Sequence, residues 1–440
     1  MTKQEISELK KLLTPRNCSI TRICGCYVDG EKNKKAQLKQ AFLALPEEEM
    51  FKYFEILRKA LSGTPGKNLL TLEFPLNVSA AMNGIIEDNP QASEDNPTDS
   101  AGFPDTIPEQ NVIHPETTSQ DSGPWNGSAS DTTPTATPQE FLLRLRDSKL
   151  KDDSILEEFY DRVIENYEYV GNYLILLVHD VYDVPGKTTD GIEMEDASDE
   201  IYEYILCCVC PVELSKPGLS YNPEENTFHN RIRDWVVNLP ETGFLFPAFH
   251  DRSTDIHSVL YYSKNPEELR ESFVEPLLGC PLPMSAGGQM ETFQTIIEDT
   301  LGEDCGIEMV KNIHDKLNEL AEEYKESPQP LALDKNEVKT ILADSGVANE
   351  RLADFDKHYD ETAGEKTSLL MNNVMNIRTF EVKTPDIVIK VNPERTDLIA
   401  TRNIDGRECL VLELDGSVEV NGISVRAATN TSAMEDNDEE

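Results

Sequence analysis

Residues 79–137 constrain the fold of this chain more than any other segment. They contain 10 acidic residues and no Lys or Arg, and Pro, Ser, Thr, Asn, Asp and Gly dominate without hydrophobic periodicity. Such a segment cannot bury enough apolar surface to offset the conformational entropy lost on ordering. We therefore predict a disordered acidic insertion at 79–137, so that any core must form from the residues on either side.

The flanking residues 1–78 and 138–326 predict one N-terminal α+β domain. Amphipathic patterns indicate helices at 1–13, 46–61, about 138–147 and about 153–168. Continuous apolar runs at 173–178 and 201–212 indicate strands that are buried on both faces. The fold class that follows is α+β, with a mixed or antiparallel sheet and flanking helices.

A smaller C-terminal α+β module is predicted at 331–426. The Pro-rich segment Ser327-Pro328-Gln329-Pro330 has the composition of a linker. Two helices follow at about 334–343 and 349–360, and Asp405-Gly406, Asp415-Gly416 and Asn421-Gly422 are typical turns of β-hairpins. Residues 427–440 predict a disordered acidic tail.

The charge balance disfavours nucleic acid and membrane partners. The net charge is −42, although residues 1–78 carry +4, and an acidic surface repels phosphates and anionic lipid. The longest apolar run, 173–178, is far shorter than the roughly 18 residues of a membrane-spanning helix, and residues 1–13 lack the apolar stretch of a signal peptide. Nine cysteines without a secretion signal indicate free thiols, so we predict a cytoplasmic protein.

Two short segments resemble phosphate-binding loops but lack the required glycines. Pro185-Gly186-Lys187-Thr188 has Val181 where the motif needs its first Gly, and the segment ending in Gly66-Lys67 has Leu61 there. Without those glycines the main-chain N–H groups cannot wrap a phosphate. We therefore expect no nucleotide site at either segment.

The cysteines form two clusters, Cys18, Cys24 and Cys26 in one and Cys207, Cys208 and Cys210 in the other. Buried packing is the expected role, because free Cys behaves as a small hydrophobic residue. A zinc site shared by Cys24, Cys26, Cys207 and Cys210 and a redox pairing are the alternatives, although the spacing matches no standard site. We predict no cofactor, with zinc as the alternative.

The polar stretch 250–257 supplies the strongest candidate for chemistry. Asp255 and His257 are two apart on a predicted strand and share a face, and His179 and Asp180 end the apolar run 173–178. If these strand ends meet, the four side chains and Arg252 could form a metal site or a general acid–base pair. An ordinary hydrogen-bonded polar loop is the competing interpretation.

Three segments carry a resemblance to a known family. They are 17–30 (NCSITRICGCYVDG), 45–53 (LPEEEMFKY) and 243–249 (GFLFPAF). With them the chain resembles a family of uncharacterised proteins, a "domain of unknown function" family found chiefly in anaerobic Gram-positive bacteria. The resemblance covers the chain except about 79–137 and the acidic tail, so the insertion is expected to depart from the family pattern. It implies a bacterial cytosolic setting and transfers no activity, cofactor or catalytic residue.

Three functions remain open from the sequence. We favour a non-catalytic cytosolic protein that interacts with protein partners or regulates them, because no catalytic motif is recognisable. A metal-dependent hydrolase with its site at His179, Asp180, Asp255 and His257 is the first alternative. The second is a nucleic-acid-associated protein that acts through the basic residues of 1–78. The sequence does not predict an oligomeric state.

Overall fold

The computed structural model describes residues 1–75, 136–187, 193–327, 329–376, 379–414 and 418–425. Of the disorder predicted at 79–137 and 427–440, residues 79–135 and 427–440 lie outside the described residues, as does most of the predicted turn Asp415-Gly416.

The described residues alternate between helices and strands. The helices are α1 Lys3–Leu12, α2 Glu47–Ala60, α3 Pro138–Asp147, α4 Asp153–Asn166, α5 Glu271–Leu278, α6 Ala286–Leu301, α7 Ile307–Glu323, α8 Lys335–Asp344, α9 Asn349–Leu352, α10 Phe355–Thr362 and α11 Met371–Val374. The strands are β1 Arg22–Val28, β2 Lys34–Ala41, β3 Leu69–Glu73, β4 Asn172–Lys187, β5 Glu193–Leu214, β6 Leu219–Asn222, β7 Thr227–Asn230, β8 Trp235–Val237, β9 Thr242–Phe246, β10 Ala248–His250, β11 Ser253–Asp255, β12 Ser258–Ser263, β13 Ala332–Leu333, β14 Leu369–Leu370, β15 Phe380–Lys383, β16 Val388–Val391, β17 Ile399–Ile404, β18 Arg407–Leu412, β19 Val418–Val420 and β20 Ile423–Val425.

One antiparallel sheet organises the N-terminal part. Its strand order is β2-β1-β4-β5-β9-β12-β3, with β8 also paired to β5, and each pairing is antiparallel. Short two-stranded sheets at the C-terminus pair β15 with β16, β17 with β18 and β19 with β20. The α+β class with an antiparallel sheet and C-terminal hairpins is therefore confirmed.

The sheet is covered by helices on both faces because apolar side chains alternate along its central strands. On the first face, α3, α4 and α5 pack over a row that includes Leu177, Cys207 and Phe244. On the second face, α1 and α2 pack over Leu176, Leu206 and their neighbours. We refer to these as the α3–α5 face and the α1–α2 face. The central part of the sheet is consequently buried on both sides, as the apolar runs predicted.

A third apolar cluster joins α6 and α7 to the segments that follow. It contains Phe293 and Ile297 of α6 and Ile313 of α7 together with Leu342 and Tyr359. The cluster has members on both sides of Ser327–Pro330, the segment with linker composition. The sequence-based boundary between residues 326 and 331 stays a prediction, and the two sides share this core.

Several elements differ from the sequence-based expectation. β2 was not predicted, because its residues Lys34–Ala41 are mostly charged or polar; it is stabilised by pairing with β1 and by ion pairs to α4. β4 and β5 extend well beyond the apolar runs that predicted them. The segment 242–263 forms two nested hairpins, β9 with β12 and β10 with β11.

None of the helices among the described residues has both the length and the apolarity needed to cross a bilayer.

We predict that Gly243→Ala strongly destabilises the protein. Gly243 lies in β9 between two strands, and a Cβ there would overlap the carbonyl oxygen of Cys207. Such overpacking costs about 1–3 kcal/mol, which exceeds the gain of about 0.4–1 kcal/mol that Ala brings by restricting the unfolded chain. Gly218→Ala is the matched control, because no atom lies within 4 Å of its added Cβ. Urea unfolding followed by circular dichroism should show a lower midpoint only for the Gly243 variant.

Candidate functional site

His179 is a buried member of β4 with one acidic partner. Its side chain lies on the α3–α5 side of the sheet, and Nε2 is 2.7 Å from an oxygen of Glu203 on β5. Lys149 binds the same carboxylate at 3.1 Å. Burial lowers the pKa of His179, although Glu203 acts in the opposite direction. His179 is therefore a neutral ring at pH 7. Its position is fixed by the Glu203 carboxylate, which also forms an ion pair with Lys149.

Asp180 points to the opposite face of the sheet, since successive residues of a strand alternate. Its carboxylate accepts hydrogen bonds from the Ser19 hydroxyl at 2.7 Å, the Val181 N–H at 2.9 Å and the Tyr204 hydroxyl at 3.0 Å. Burial raises its pKa, and these donors lower it only in part. Asp180 is 1% exposed, so it ties a loop and two strands together rather than facing a substrate.

Asp255, His257 and Arg252 have partners of their own at the β10–β11 hairpin. Asp255 accepts a hydrogen bond from the main-chain N–H of His257 at 3.0 Å, and the His257 side chain is exposed. Arg252 donates to the carbonyl of Pro185 at 2.8 Å and lies 3.5 Å from the Glu8 carboxylate. These contacts fix the hairpin to neighbouring segments. They do not join Asp255 or His257 to His179 or Asp180.

The cysteines expected as zinc ligands lie on two faces of the sheet. Cys24, Cys26 and Cys207 belong to the α3–α5 face, whereas Cys210 belongs to the α1–α2 face. The reason is that residues three apart on a strand point in opposite directions. Burial raises the pKa of Cys26 to about 11 and that of Cys210 to about 12, so both remain thiols at neutral pH. The four cannot surround one metal ion.

Among the described ranges, no group of three or more His, Cys, Asp or Glu side chains is placed to hold a metal ion. All nine cysteines are free thiols. In the described structure the strand-end residues make hydrogen bonds, and most of the clustered cysteines are buried in the two cores.

A feature that the sequence did not reveal lies at 214–239, which we call the arm. β5 pairs with β8, and the last pair of this ladder is Leu214 with Trp235. Further along, the Arg231 N–H donates to the Gly218 carbonyl at 2.9 Å, and β6 then pairs with β7. The arm is thus a two-stranded ribbon. Its large apolar side chains are exposed along its length: Leu214, Leu219, Tyr221, Phe228, Ile232, Trp235, Val236, Val237 and Leu239. Alternation in 219–237 was a weak signal, interrupted by Pro and Asn.

A second feature is a basic groove of about 770 Å³ between α1 and α2. We call it the α1–α2 groove. α1 places Glu5 and Glu8 against the β10–β11 hairpin and β4, where they accept hydrogen bonds. Its other side faces the groove. No carboxylate is among the described residues that line it, and its polar lining consists of cations and small polar residues: Lys3, Ser7, Lys10, Lys11, Thr14, Asn17, Arg58 and Ser62. The spacing of Lys3, Lys10 and Lys11, which places them on one side of α1, was the sequence signal that could have predicted this groove.

The buried carboxylate gives a prediction on pH dependence. The folded-state pKa of Asp180 is raised by burial, so the folded state holds this proton to higher pH than the unfolded state does. The stability of the wild type should therefore fall, relative to that of Asp180→Asn, as the pH rises through the raised pKa. Urea midpoints of both proteins measured from acid to neutral pH test this.

The matched control is Asp299→Asn on the exposed side of α6. Its stability difference from the wild type should not change in the same way with pH. The prediction concerns the difference in urea midpoint between the wild type and Asp180→Asn. If this difference is constant across the pH range, or changes in the opposite direction, the pKa of Asp180 is not raised by burial.

Comparison with known proteins identifies the family. A comparison with curated proteins and one with solved structures each found no match. A family described as a domain of unknown function (DUF4317) matches residues 1–113 and 129–423. The match includes 79–113, so the expectation that this segment departs from the family pattern is corrected; residues 114–128 lie outside the match. The organism and compartment stay predictions. The chain belongs to the DUF4317 family of unknown function.

Proposed function

We propose that this protein is a non-catalytic protein-interaction or regulatory protein and that the arm is its docking surface. The observation that carries the proposal is the concentration of exposed apolar side chains on the arm, among them Phe228 at 70% and Ile232 at 79% exposure. Monomeric soluble proteins rarely expose contiguous apolar patches of this kind, and such patches typically mark interaction sites. The free thiols are compatible with the cytoplasmic setting that we also propose.

The ribbon geometry supports the same conclusion. A two-stranded hairpin is at best marginally stable alone in water, and among the described residues no third strand pairs with β6 or β7. Its edges therefore offer unpaired N–H and C=O groups to another strand. Tyr221 and Phe228 face each other across the ribbon, with ring centroids 5.4 Å apart and ring planes inclined at 51°, which gives a partner a preformed aromatic surface.

Charge favours a second copy of this chain as the partner. Residues 214–239 contain three basic residues (Lys216, Arg231 and Arg233) and three acidic residues (Glu224, Glu225 and Asp234). The arm is thus neutral on a chain of net charge −42. Two copies repel each other electrostatically over most of their acidic surface. Contact through the neutral arm avoids this repulsion at the interface itself. A neutral, apolar patch of this kind also suits the self-complementary interface of a twofold dimer.

We expect the full chain to form a dimer that Phe228→Asp combined with Ile232→Asp disrupts. A charge introduced at a central apolar contact costs about 2 kcal/mol or more, which corresponds to a dissociation constant raised about 30-fold. Sedimentation velocity over a concentration series gives the dissociation constants of the wild type and the variant.

Leu43→Asp is the control, because Leu43 is 58% exposed but lies outside the arm. It should leave the dimer unchanged. A wild type that remains monomeric at about 100 μM, the range of weak association, would remove the second copy as partner. So would a dimer that survives the double substitution in the arm.

A second candidate function is nucleic-acid binding at the α1–α2 groove. The observation that favours it is the set of cations along the groove, since Lys3, Lys11 and Arg58 have no ion-pair partner among the described residues. Lys34, Lys35 and Lys39 of β2 differ, because they bind the carboxylates of Glu157, Asp29 and Asp153. Only part of the basic N-terminal segment is therefore available to a phosphate backbone. The geometry does not favour the hydrolase alternative, because His179 and Asp180 face opposite sides of the sheet.

If the groove binds nucleic acid, Lys11→Gln with Arg58→Gln should weaken the binding of a labelled single-stranded oligonucleotide. Each lost phosphate contact should also reduce the slope of log affinity against log salt by about 0.7. Fluorescence anisotropy at several salt concentrations measures both. Lys34→Gln with Lys39→Gln is the matched control and should have a small effect. Binding that is undetectable at low salt, or equally weakened by the control, would eliminate this function.

A further inference from the structure

The register of the arm determines which of its main-chain groups point outward. The Arg231 N–H donates to the Gly218 carbonyl across the ribbon, so these two residues form a hydrogen-bonded pair. Hydrogen-bonded and non-hydrogen-bonded pairs alternate along an antiparallel ladder, and residues of the second kind direct their N–H and C=O groups away from the opposite strand. In the register of β6 with β7 the outward-facing residues are Leu219, Tyr221, Phe228 and Asn230.

The two strands of the ribbon differ in the donors that their outer edges offer. On β6, Pro217 lies two residues before Leu219 and Pro223 two residues after Tyr221, at the next positions of the outward alternation. Proline has no N–H, and its presence at an edge opposes pairing with a further strand. The residues from 224 to 239 include no proline. β7 therefore has the open edge of the arm.

The outward groups of β7 are available to another strand. Neither the Phe228 N–H nor the Asn230 N–H donates a hydrogen bond within the described part of the chain. The Asn230 carbonyl accepts a hydrogen bond from His229 Nδ1 at 2.9 Å, and it keeps a second lone pair for another donor. An edge with free donors and acceptors is a template for the addition of a strand.

The charges that flank β7 favour an antiparallel partner. Glu224 and Glu225 precede the strand, and the segment 231–234 that follows it contains two Arg and one Asp. β7 thus has an acidic end and a basic end. Antiparallel pairing of two copies places the acidic end of one beside the basic end of the other, whereas parallel pairing would place like charges together.

We propose that two copies of this chain associate by antiparallel pairing of β7 with β7, about a twofold axis at His229. The inference rests on the function proposed for the arm, since it specifies the contact between the two copies. In this register Phe228 of each copy lies opposite Asn230 of the partner subunit, and the outward N–H and C=O groups of both residues are paired. His229 lies opposite His229 of the partner subunit in a non-hydrogen-bonded pair.

The pairing stabilises a ribbon that is marginal alone. The joined strands form one sheet in the order β6-β7-β7-β6, and sheets of three or more strands with an apolar face are stable where a single hairpin is not. Leu219, Tyr221 and Phe228 share one face of the ribbon. The twofold axis is perpendicular to the sheet, so it places these side chains of both copies on the same face. The remainder of each chain lies at the opposite end of the joint sheet from that of its partner.

His229→Cys tests the register by crosslinking. Opposite residues of a non-hydrogen-bonded pair have Cα atoms about 4.5 Å apart, a separation that a disulfide can bridge. The full chain carries Cys305→Ser, because Cys305 is an exposed thiol, and it is oxidised with copper phenanthroline. We expect a disulfide-linked dimer on a non-reducing gel. Ser220→Cys is the matched control: Ser220 pairs with His229 and shares its face, but in the proposed sheet its two copies are about 14 Å apart.

Asn230→Pro tests the main-chain pairing. It removes an N–H that points away from β6, so the bonds between β6 and β7 remain. Each dimer loses the N–H of both copies, and the dissociation constant measured by sedimentation velocity should rise about 10-fold or more. Asn230→Ala keeps the N–H and should leave the constant unchanged. The crosslinking measurement stands even if the proline variant distorts the arm.

The possible results distinguish failure of this pairing from failure of the proposed function. A wild type that remains monomeric removes the second copy as partner and the pairing with it. A dimer that Phe228→Asp with Ile232→Asp disrupts, but in which His229→Cys forms no disulfide, overturns the pairing and leaves the arm as the docking surface. Equal effects of Asn230→Pro and Asn230→Ala would do the same. Crosslinking through Ser220→Cys instead of His229→Cys would assign the contact to the edge of β6 and also overturn the pairing.

Discussion

The antiparallel pairing of β4 with β5 is the interaction on which the rest of the structure depends. The ladder runs from Asn172 paired with Val212 to Lys187 paired with Glu193, with irregularities only around Pro185. Its central residues supply apolar side chains to both faces. α3, α4 and α5 on one side and α1 and α2 on the other therefore have a surface to pack on only when this ladder is formed. Residues 79–137 lie between β3 and α3 in the sequence, and β3 nevertheless joins the same sheet through β12.

The elements that could be predicted are those whose apolar sequence pattern matches the faces that the fold buries. The runs 173–178 and 201–212 are apolar at consecutive positions, as strands buried on both faces must be, and the stripe along 46–61 predicts α2. The ends of β4 and β5 were not predictable, because residues such as Asp180 and Asp183 take up the extended conformation through pairing with the neighbouring strand. β2 is the clearest case. Its Lys-rich sequence has low strand propensity, and the stabilising carboxylates come from α4, more than 100 residues later.

The candidate sites illustrate the same limit. Strand alternation alone places His179 and Asp180 on opposite faces, and it separates Cys207 from Cys210 in the same way. What the sequence cannot supply is the partner of each side chain: Glu203 for His179, and Ser19 and Tyr204 for Asp180. The arm escaped prediction for a different reason. Both of its faces are exposed, so its apolar residues follow no burial period, and Pro217, Gly218 and Pro223 give the segment the composition of a loop.

The uneven distribution of charge bears on the self-association proposed for the arm. A molecule with a net charge of −42 opposes its own association, and the repulsion decays over a Debye length of about 8–10 Å at physiological salt. Residues 214–222, of which 215–218 lie between β5 and β6, span at most about 30 Å when extended. Contact through the ends of two arms would therefore separate the acidic bodies by more than the screening length. Neutrality and length together make the arm suitable for self-association, whereas a flat apolar patch on the acidic body would bring like charges within reach of each other.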